Sequence, residues 1–190
     1  MCLAGGARAA NAQQAPLRIG DKVVVRILRD SMFVATYVVD ERGMITLPLA
    51  GDLRVTTTEA SLVRDSVRAR LAPYLHDSKL VEVVALRRVR VIGAAKLAGV
   101  QYVDLGATVR DAVALANGVG DDGKANRLIL VRGTEQRPLD NWATSATGTT
   151  ILESGDDIVV SRLSWFARNT GTVVTGAGIL LSIIVTLATR

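Results

Sequence analysis

His76 and Cys2 are each the only residue of their kind in the 190-residue chain. A Ser-His or Cys-His nucleophile and a zinc site all need partners of these types, so neither chemistry has its material here. Two pairs of adjacent carboxylates, Asp121-Asp122 and Asp156-Asp157, follow glycines in turn-like stretches. Adjacent turn carboxylates are expected to be solvated, and neither pair has an evident facing partner. The stretch GVGDDGKAN has the glycine spacing of a phosphate loop at Gly118 and Gly123-Lys124, but Ala125 stands where the magnesium-binding hydroxyl belongs. The preceding element also reads as a helix, whereas a phosphate loop follows a strand. No catalytic set, cofactor site or metal site is therefore expected.

Charge offers binding chemistry. Lys and Arg number 23 against 18 Asp and Glu, a net charge of +5. Basic and acidic residues alternate, as in VRDSVRARL, without a block of like charge, and aromatics are only 4% of the chain. Both facts argue against a nucleic-acid surface. Arg88 and Arg90 are two apart on a predicted strand and face the same way. They are the candidate contact for an anionic partner; a solvated strand face is the plainer reading.

The elements that must position these residues follow from periodicity. LRIGDKVVVRIL is a Gly-Asp turn feeding a β-branched strand, and FVATYVV is a second strand. Asp40-Glu41-Arg42-Gly43 is a turn, MITLPL is a short strand that Pro48 demotes at its end, and Gly51 begins another turn. TEASLVRDSVRARLAPYL predicts a helix from Thr58, with Ala60, Leu62, Val63, Val67 and Leu71 on its apolar side and Pro73 ending it. Leu80–Leu86 closes a first unit as a strand. A second unit opens at Arg88 with RVRVIG, paired in a hairpin with VQYVDL. Thr108 to Asp111 resembles a capping box, Val109, Ala112, Val113 and Ala116 form a helical stripe, and Asn117-Gly118 stops it. RLILVR at 127–132 is a strand, 133–150 reads as polar and mostly irregular, and ILESGDDIVVS ends in a strand. Gly20-Asp21 and Gly155-Asp156 echo one another. Each is expected to be a tight turn whose aspartate caps a backbone N–H.

The segment after the second unit, WFARNTGTVVTGAGILLSIIVTLATR, carries no charge from Asn169 to Thr189 and is bounded by Arg168 and Arg190. About 20 apolar residues are what a membrane-spanning helix requires. Trp165 and Phe166 sit where an interfacial anchor would, and Arg168 and Arg190 can snorkel. At about 100° per residue, Thr172, Thr175, Gly176, Gly178, Ser182, Thr186 and Thr189 share one arc of the wheel. Such an arc packs against other helices or lines a pore. It lacks the charge of a wide pore, so packing or anchoring is the expectation. At the other end, MCLAGGARAANAQQAP has the Ala-x-Ala pattern of a signal-peptide cleavage site without a basic start. Residues 1–16 read as a disordered tail or as a signal remnant left by a start placed too late.

The order of these motifs resembles a known family. LRIGDKVVVRI is followed by Val39, Asp40, Gly43, Ile45, Leu47, Pro48 and Gly51, which fit the pattern Val-Asp-x-x-Gly-x-Ile-x-Leu-Pro-x-x-Gly of polysaccharide export proteins. Thr58-Glu59-Ala60 and Tyr74-Leu75 fit the ends of that family's helix. The second unit resembles the SLBB domain, a β-grasp module, through Val91, Gly93, Gly99, Tyr102, the helix of Thr108 to Gly118 and LESGDDIVVS. Ala98, Asn117 and Ser154 depart from its usual turn residues. The resemblance implies an α+β chain with an export-type unit at 17–87, an SLBB-like β-grasp unit at 88–163 and a membrane helix at 165–190. It implies a non-catalytic, oligomeric envelope protein with periplasmic domains, acting as conduit or bridge in polysaccharide export. Its partners would be the membrane, further copies of itself, polysaccharide and a polysaccharide copolymerase. A second expectation of a different class is a structural accessory subunit of a larger integral-membrane complex, docked by the C-terminal helix.

Overall fold

The β-branched runs become strands, and the amphipathic stretches become two short helices. The computed structural model describes residues 15–27, 34–48, 50–74 and 81–163. In chain order these form β1 (Lys22–Ile27), β2 (Val34–Val38), β3 (Met44–Leu47), β4 (Gly51–Arg54), α1 (Ala60–Leu71), β5 (Val81–Gly93), β6 (Gly99–Asp104), α2 (Val109–Leu115), β7 (Gly123–Arg132), β8 (Glu135–Asp140) and β9 (Asp157–Arg162).

Strand β5 organises the molecule. The sequence reading makes it two strands parted at residue 87, but it is one strand of 13 residues. Nothing in LRRVR breaks it: no glycine or proline intervenes, and Val83, Arg87, Val89 and Val91 stay in phase on the buried face. Its first half pairs antiparallel with β1, Leu86 opposite Lys22 and Val81 opposite Ile27. Its last residues pair parallel with β9, Arg90 opposite Asp157. β6 pairs with Leu86 to Val91. Leu86 thus faces both Lys22 and Asp104, and Arg90 faces both Asp157 and Val100. β6 therefore takes one edge of β5, while β1 and β9 share the other, end to end. The seven-stranded sheet runs β2-β1-β5-β9-β7-β8, with β6 beside β5, and β3 and β4 form a separate hairpin.

Two cores flank the middle of β5. One gathers Leu17, Val23, Val25, Ile45, Leu47, Val63, Val67 and Val83. The other gathers Val89, Val91, Val103, Val113, Leu128, Leu139, Ile158 and Val160. α1 buries Ala60, Val63 and Val67 as expected, but Leu62 is 49% exposed and lies off the buried stripe. The neighbouring Val63 occupies the inward position, and a helix turns about 100° between successive residues. α2 begins as the capping-box pattern requires. Asp111 accepts hydrogen bonds from the Thr108 backbone N–H and hydroxyl, both at 2.8 Å. These bonds hold the Asp111 carboxyl below its ordinary pKa. Asn117 and Gly118 end the helix at positive φ, 56° and 85°.

Two segments read as turn or irregular are strands. Gly51 opens β4, which pairs with β3 from Leu47–Gly51 to Met44–Arg54. Polar Glu135 to Asp140 forms β8 on β7. It is the end strand of the sheet, where one side faces solvent and Pro138 is tolerated because its missing N–H need not serve a neighbour.

The end of the parallel β5–β9 pairing makes a sharp prediction. Gly93 has φ +90°, and a Cβ there would overlap the Val160 carbonyl oxygen, which accepts the Ala94 N–H at 2.9 Å. Gly93→Ala is expected to lower unfolding stability by about 3 kcal/mol, from backbone strain and a displaced ladder. Urea unfolding measures it; an unchanged midpoint would show that β9 does not depend on this close approach.

Candidate functional site

The two echoing Gly-Asp turns meet on one strand. β1 starts opposite Leu86 and β9 starts opposite Arg90, so on the edge away from β6 no strand lies beside Arg88. The turns supply what a strand would. Arg88 N–H donates to Asp21 Oδ1 at 2.7 Å, and Gly155 N–H donates to the Arg88 carbonyl at 2.8 Å. Asp21 also caps its own turn, accepting Arg18 N–H at 2.7 Å, and accepts the Ser154 hydroxyl at 2.5 Å. Asp156 repeats the motif with Glu153 N–H at 2.8 Å. The capping expected of both aspartates is what the structure shows.

The expectation that the paired carboxylates are solvated fails for Asp156, which is 1% exposed. Its partner is Arg132, whose Nε and Nη2 reach the two carboxylate oxygens at 2.9 and 2.7 Å while Nη1 reaches Glu153 at 2.6 Å. A buried carboxylate needs donors or a cation in place of water, and for Asp156 Arg132 supplies a bidentate one. The hydrogen bonds to Asp156 in turn push the Arg132 pKa further up. Arg132 lies on β7 and is recruited only when β7 pairs with β9, so no local pattern announces it.

Arg87 points inward at the junction of the two cores and is fully buried. It donates to the carbonyls of Leu152 at 3.0 Å, Ala15 at 3.1 Å and Leu105 at 3.4 Å. Burial pulls its pKa down, against the favourable charges of Asp21, Glu153 and Asp156. Asp21, Arg87, Arg132, Glu153 and Asp156 form a charged network that joins the halves.

Arg88 points the opposite way, outward. Its guanidinium lies over Gly20, where a Cβ would come within 2.9 Å of Nη1. No hydrogen bond or ion pair holds that guanidinium among the described residues. It lines a cleft of about 640 Å³ with Arg18, Ile19, Glu41, Arg42 and Thr56. Arg18 is aimed by the Ser154 carbonyl at 3.0 Å, and Arg42 by Asp40 at 3.3 Å. Arg90, predicted as the companion of Arg88, is engaged otherwise: it binds Asp157 bidentately at 2.7 and 2.6 Å. Sequence reasoning missed Arg18 and Arg42. The Gly-Asp turn was the available signal for Arg18, because it folds residues 17–21 back onto β5.

The stretch GVGDDGKAN forms a turn that runs into β7 rather than a helix, so it has no phosphate-loop geometry. Among the described residues no cluster of three or more His, Cys, Asp or Glu side chains is placed to hold a metal ion. None of the helices among them is long and apolar enough to cross a membrane. The proposed membrane face (Thr172, Thr175, Gly176, Gly178, Ser182, Thr186, Thr189) and anchors (Trp165, Phe166, Arg168, Arg190) lie outside the described residues, as do His76 and Cys2.

Two cores share one strand, and an open polar cleft lies at their junction. Residues 9–84 match the family of polysaccharide biosynthesis/export proteins. That match falls on the first unit, whose motifs resemble the same family. It ends at residue 84, inside β5. No curated protein matches the chain.

Proposed function

We propose that the chain is a non-catalytic subunit of a polysaccharide export apparatus in the bacterial envelope. Its folded halves lie in the periplasm, its C-terminal segment sits in a membrane, and it acts in an oligomer as conduit or bridge. The family match over residues 9–84 carries this reading. The residues behind the resemblance have clear local duties. Asp40 Oδ1 accepts the N–H groups of Arg42 and Met44 at 2.9 and 2.8 Å, and Gly43 takes φ +75° against Thr56. The strand order β6-β5-β9-β7-β8, with α2 packed on β5 and β6, supports a β-grasp reading of residues 88–163. The uncharged stretch from Asn169 to Thr189 supports the membrane anchor. Its small and hydroxyl-bearing face suits packing against other helices.

Deleting the gene is expected to reduce surface polysaccharide to background. The full chain should restore it. A chain stopped at Leu163 should leave the membrane fraction and fail to restore it. Surface polysaccharide that survives the deletion would overturn the export role. Recovery of the protein as one copy within an unrelated membrane complex would favour the accessory-subunit reading instead.

A further inference from the structure

We infer that the cleft at the junction of the two halves is a binding site for acidic sugar, with Arg88 as its principal carboxylate ligand; this rests on the export reading. Three guanidinium groups, Arg18, Arg42 and Arg88, line it against one carboxylate, Glu41. Arg18 is tethered by the Ser154 carbonyl and pairs with Glu153 at 3.9 Å, and Arg42 pairs with Asp40 and Asp52 at 3.3 and 3.7 Å. Both are therefore secondary to Arg88, although their five-donor guanidinium groups keep further N–H for a ligand. Arg88 brings a guanidinium with no partner among the described residues, held over the Gly20 turn. A planar guanidinium matches a carboxylate with two parallel hydrogen bonds.

The rest of the lining narrows the ligand. Pro16 and the 55%-exposed Ile19 offer apolar surface to the C–H face of a pyranose. Thr56 and Glu41 offer hydroxyl and carboxylate partners for sugar hydroxyls. Glu41 also disfavours a densely charged polyanion, and no lining residue is aromatic, so nucleobases have nothing to stack on. The volume of about 640 Å³ falls within the usual span of small-ligand sites, about 300–1,000 Å³. A second hollow of about 720 Å³, lined by Tyr102, Asp104 and Asp111, has carboxylates as its only charged lining groups and would repel the same ligand.

The site is also placed to sense the junction. Arg88 N–H is held by Asp21 from one half, and the Arg88 carbonyl by Gly155 from the other. Arg18, bound to the Ser154 carbonyl, stays beside Arg88 only while both turns sit on β5.

The test uses the full chain in detergent and short oligogalacturonate, with its methyl ester as the neutral control, measured by calorimetry. The free acid should bind and the ester should not, with affinity falling as salt rises. Arg88→Gln should weaken binding about tenfold, the loss of one charge-assisted contact. Arg90→Gln, which removes an equal charge two residues along the same strand, should leave binding unchanged. Thermal unfolding of both variants checks that each is folded. Equal binding of acid and ester, equal losses for the two variants, or tighter binding of polyglutamate than of oligogalacturonate would overturn the site. Absent binding together with loss of surface polysaccharide on deletion removes this site and leaves the export role standing. Binding together with unaffected surface polysaccharide does the reverse.

Discussion

Asp21→Ala is expected to cost about 4 kcal/mol of unfolding free energy, more than any surface substitution in the chain. The carboxylate is fully buried and accepts three hydrogen bonds, from Arg18 N–H, Arg88 N–H and the Ser154 hydroxyl. Truncation leaves three donors, the buried Ser154 hydroxyl and the partly buried N–H groups of Arg18 and Arg88, without that acceptor, and each fully buried group so left costs about 1–3 kcal/mol. It also withdraws one of the negative charges that offset the burial of Arg87. Asp21→Asn should fall between the two. Its amide oxygen keeps one or two of the acceptor roles, but its NH₂ must then face another donor. Urea unfolding supplies the stabilities, and amide exchange locates the damage at Arg88 and Gly155. A loss below about 1 kcal/mol would mean that the turn does not hold the two halves together. As a contrast, Asp140→Ala removes an ion pair to Arg127 in which both side chains are more than half exposed, and should lie near measurement error.

Arg87→Ala is expected to destabilise by a similar amount, about 4 kcal/mol, for two separable reasons. The first is volume: Arg87 is the largest fully buried side chain of the described residues, and it sits where the cores meet. The second is polar: the carbonyls of Leu152, Ala15 and Leu105 lose their donor. Arg87→Met separates the two, because methionine refills much of the space without donating. It should recover about half of the loss. Replacing a buried charge by an apolar side chain is neutral in some proteins, but only where the countercharges leave with it. Here Asp21, Glu153 and Asp156 remain, partly served by Arg132. Full recovery in Arg87→Met would show that packing alone matters at this position. A double cycle of Asp21→Ala with Arg87→Ala should be non-additive, since the two belong to one network.

Much of the architecture is written in local pattern. The β-branched run KVVVRI specifies β1 whatever surrounds it, and Thr108, Asp111 and Asn117-Gly118 delimit α2 with contacts no more than a few residues apart. The Gly-Asp turns are likewise local, since each aspartate caps the N–H three residues before it. The resemblance of residues 17–87 to an export family was legible for the same reason: its motif is a string of turn residues between strands, and the match over 9–84 falls on it.

What the tertiary structure alone decided is how these pieces face one another. The junction bonds link residues 67 and 133 positions apart, Asp21 to Arg88 and to Ser154. No window of local periodicity reaches that far. Neither does it tell that Arg87 and Arg88, identical neighbours in sequence, serve opposite ends: strand alternation sends one into the network and the other into the cleft. The sequence reading divides β5 at residue 87, but the continuous strand is one whose two halves have different neighbours, and neighbours are a tertiary property. Asp156 was expected in solvent because its countercharge, Arg132, comes from another strand. Local hydrogen bonding determines turns and caps within a few residues. Burial and ion pairing are set by which distant surfaces the folded sheet brings into contact.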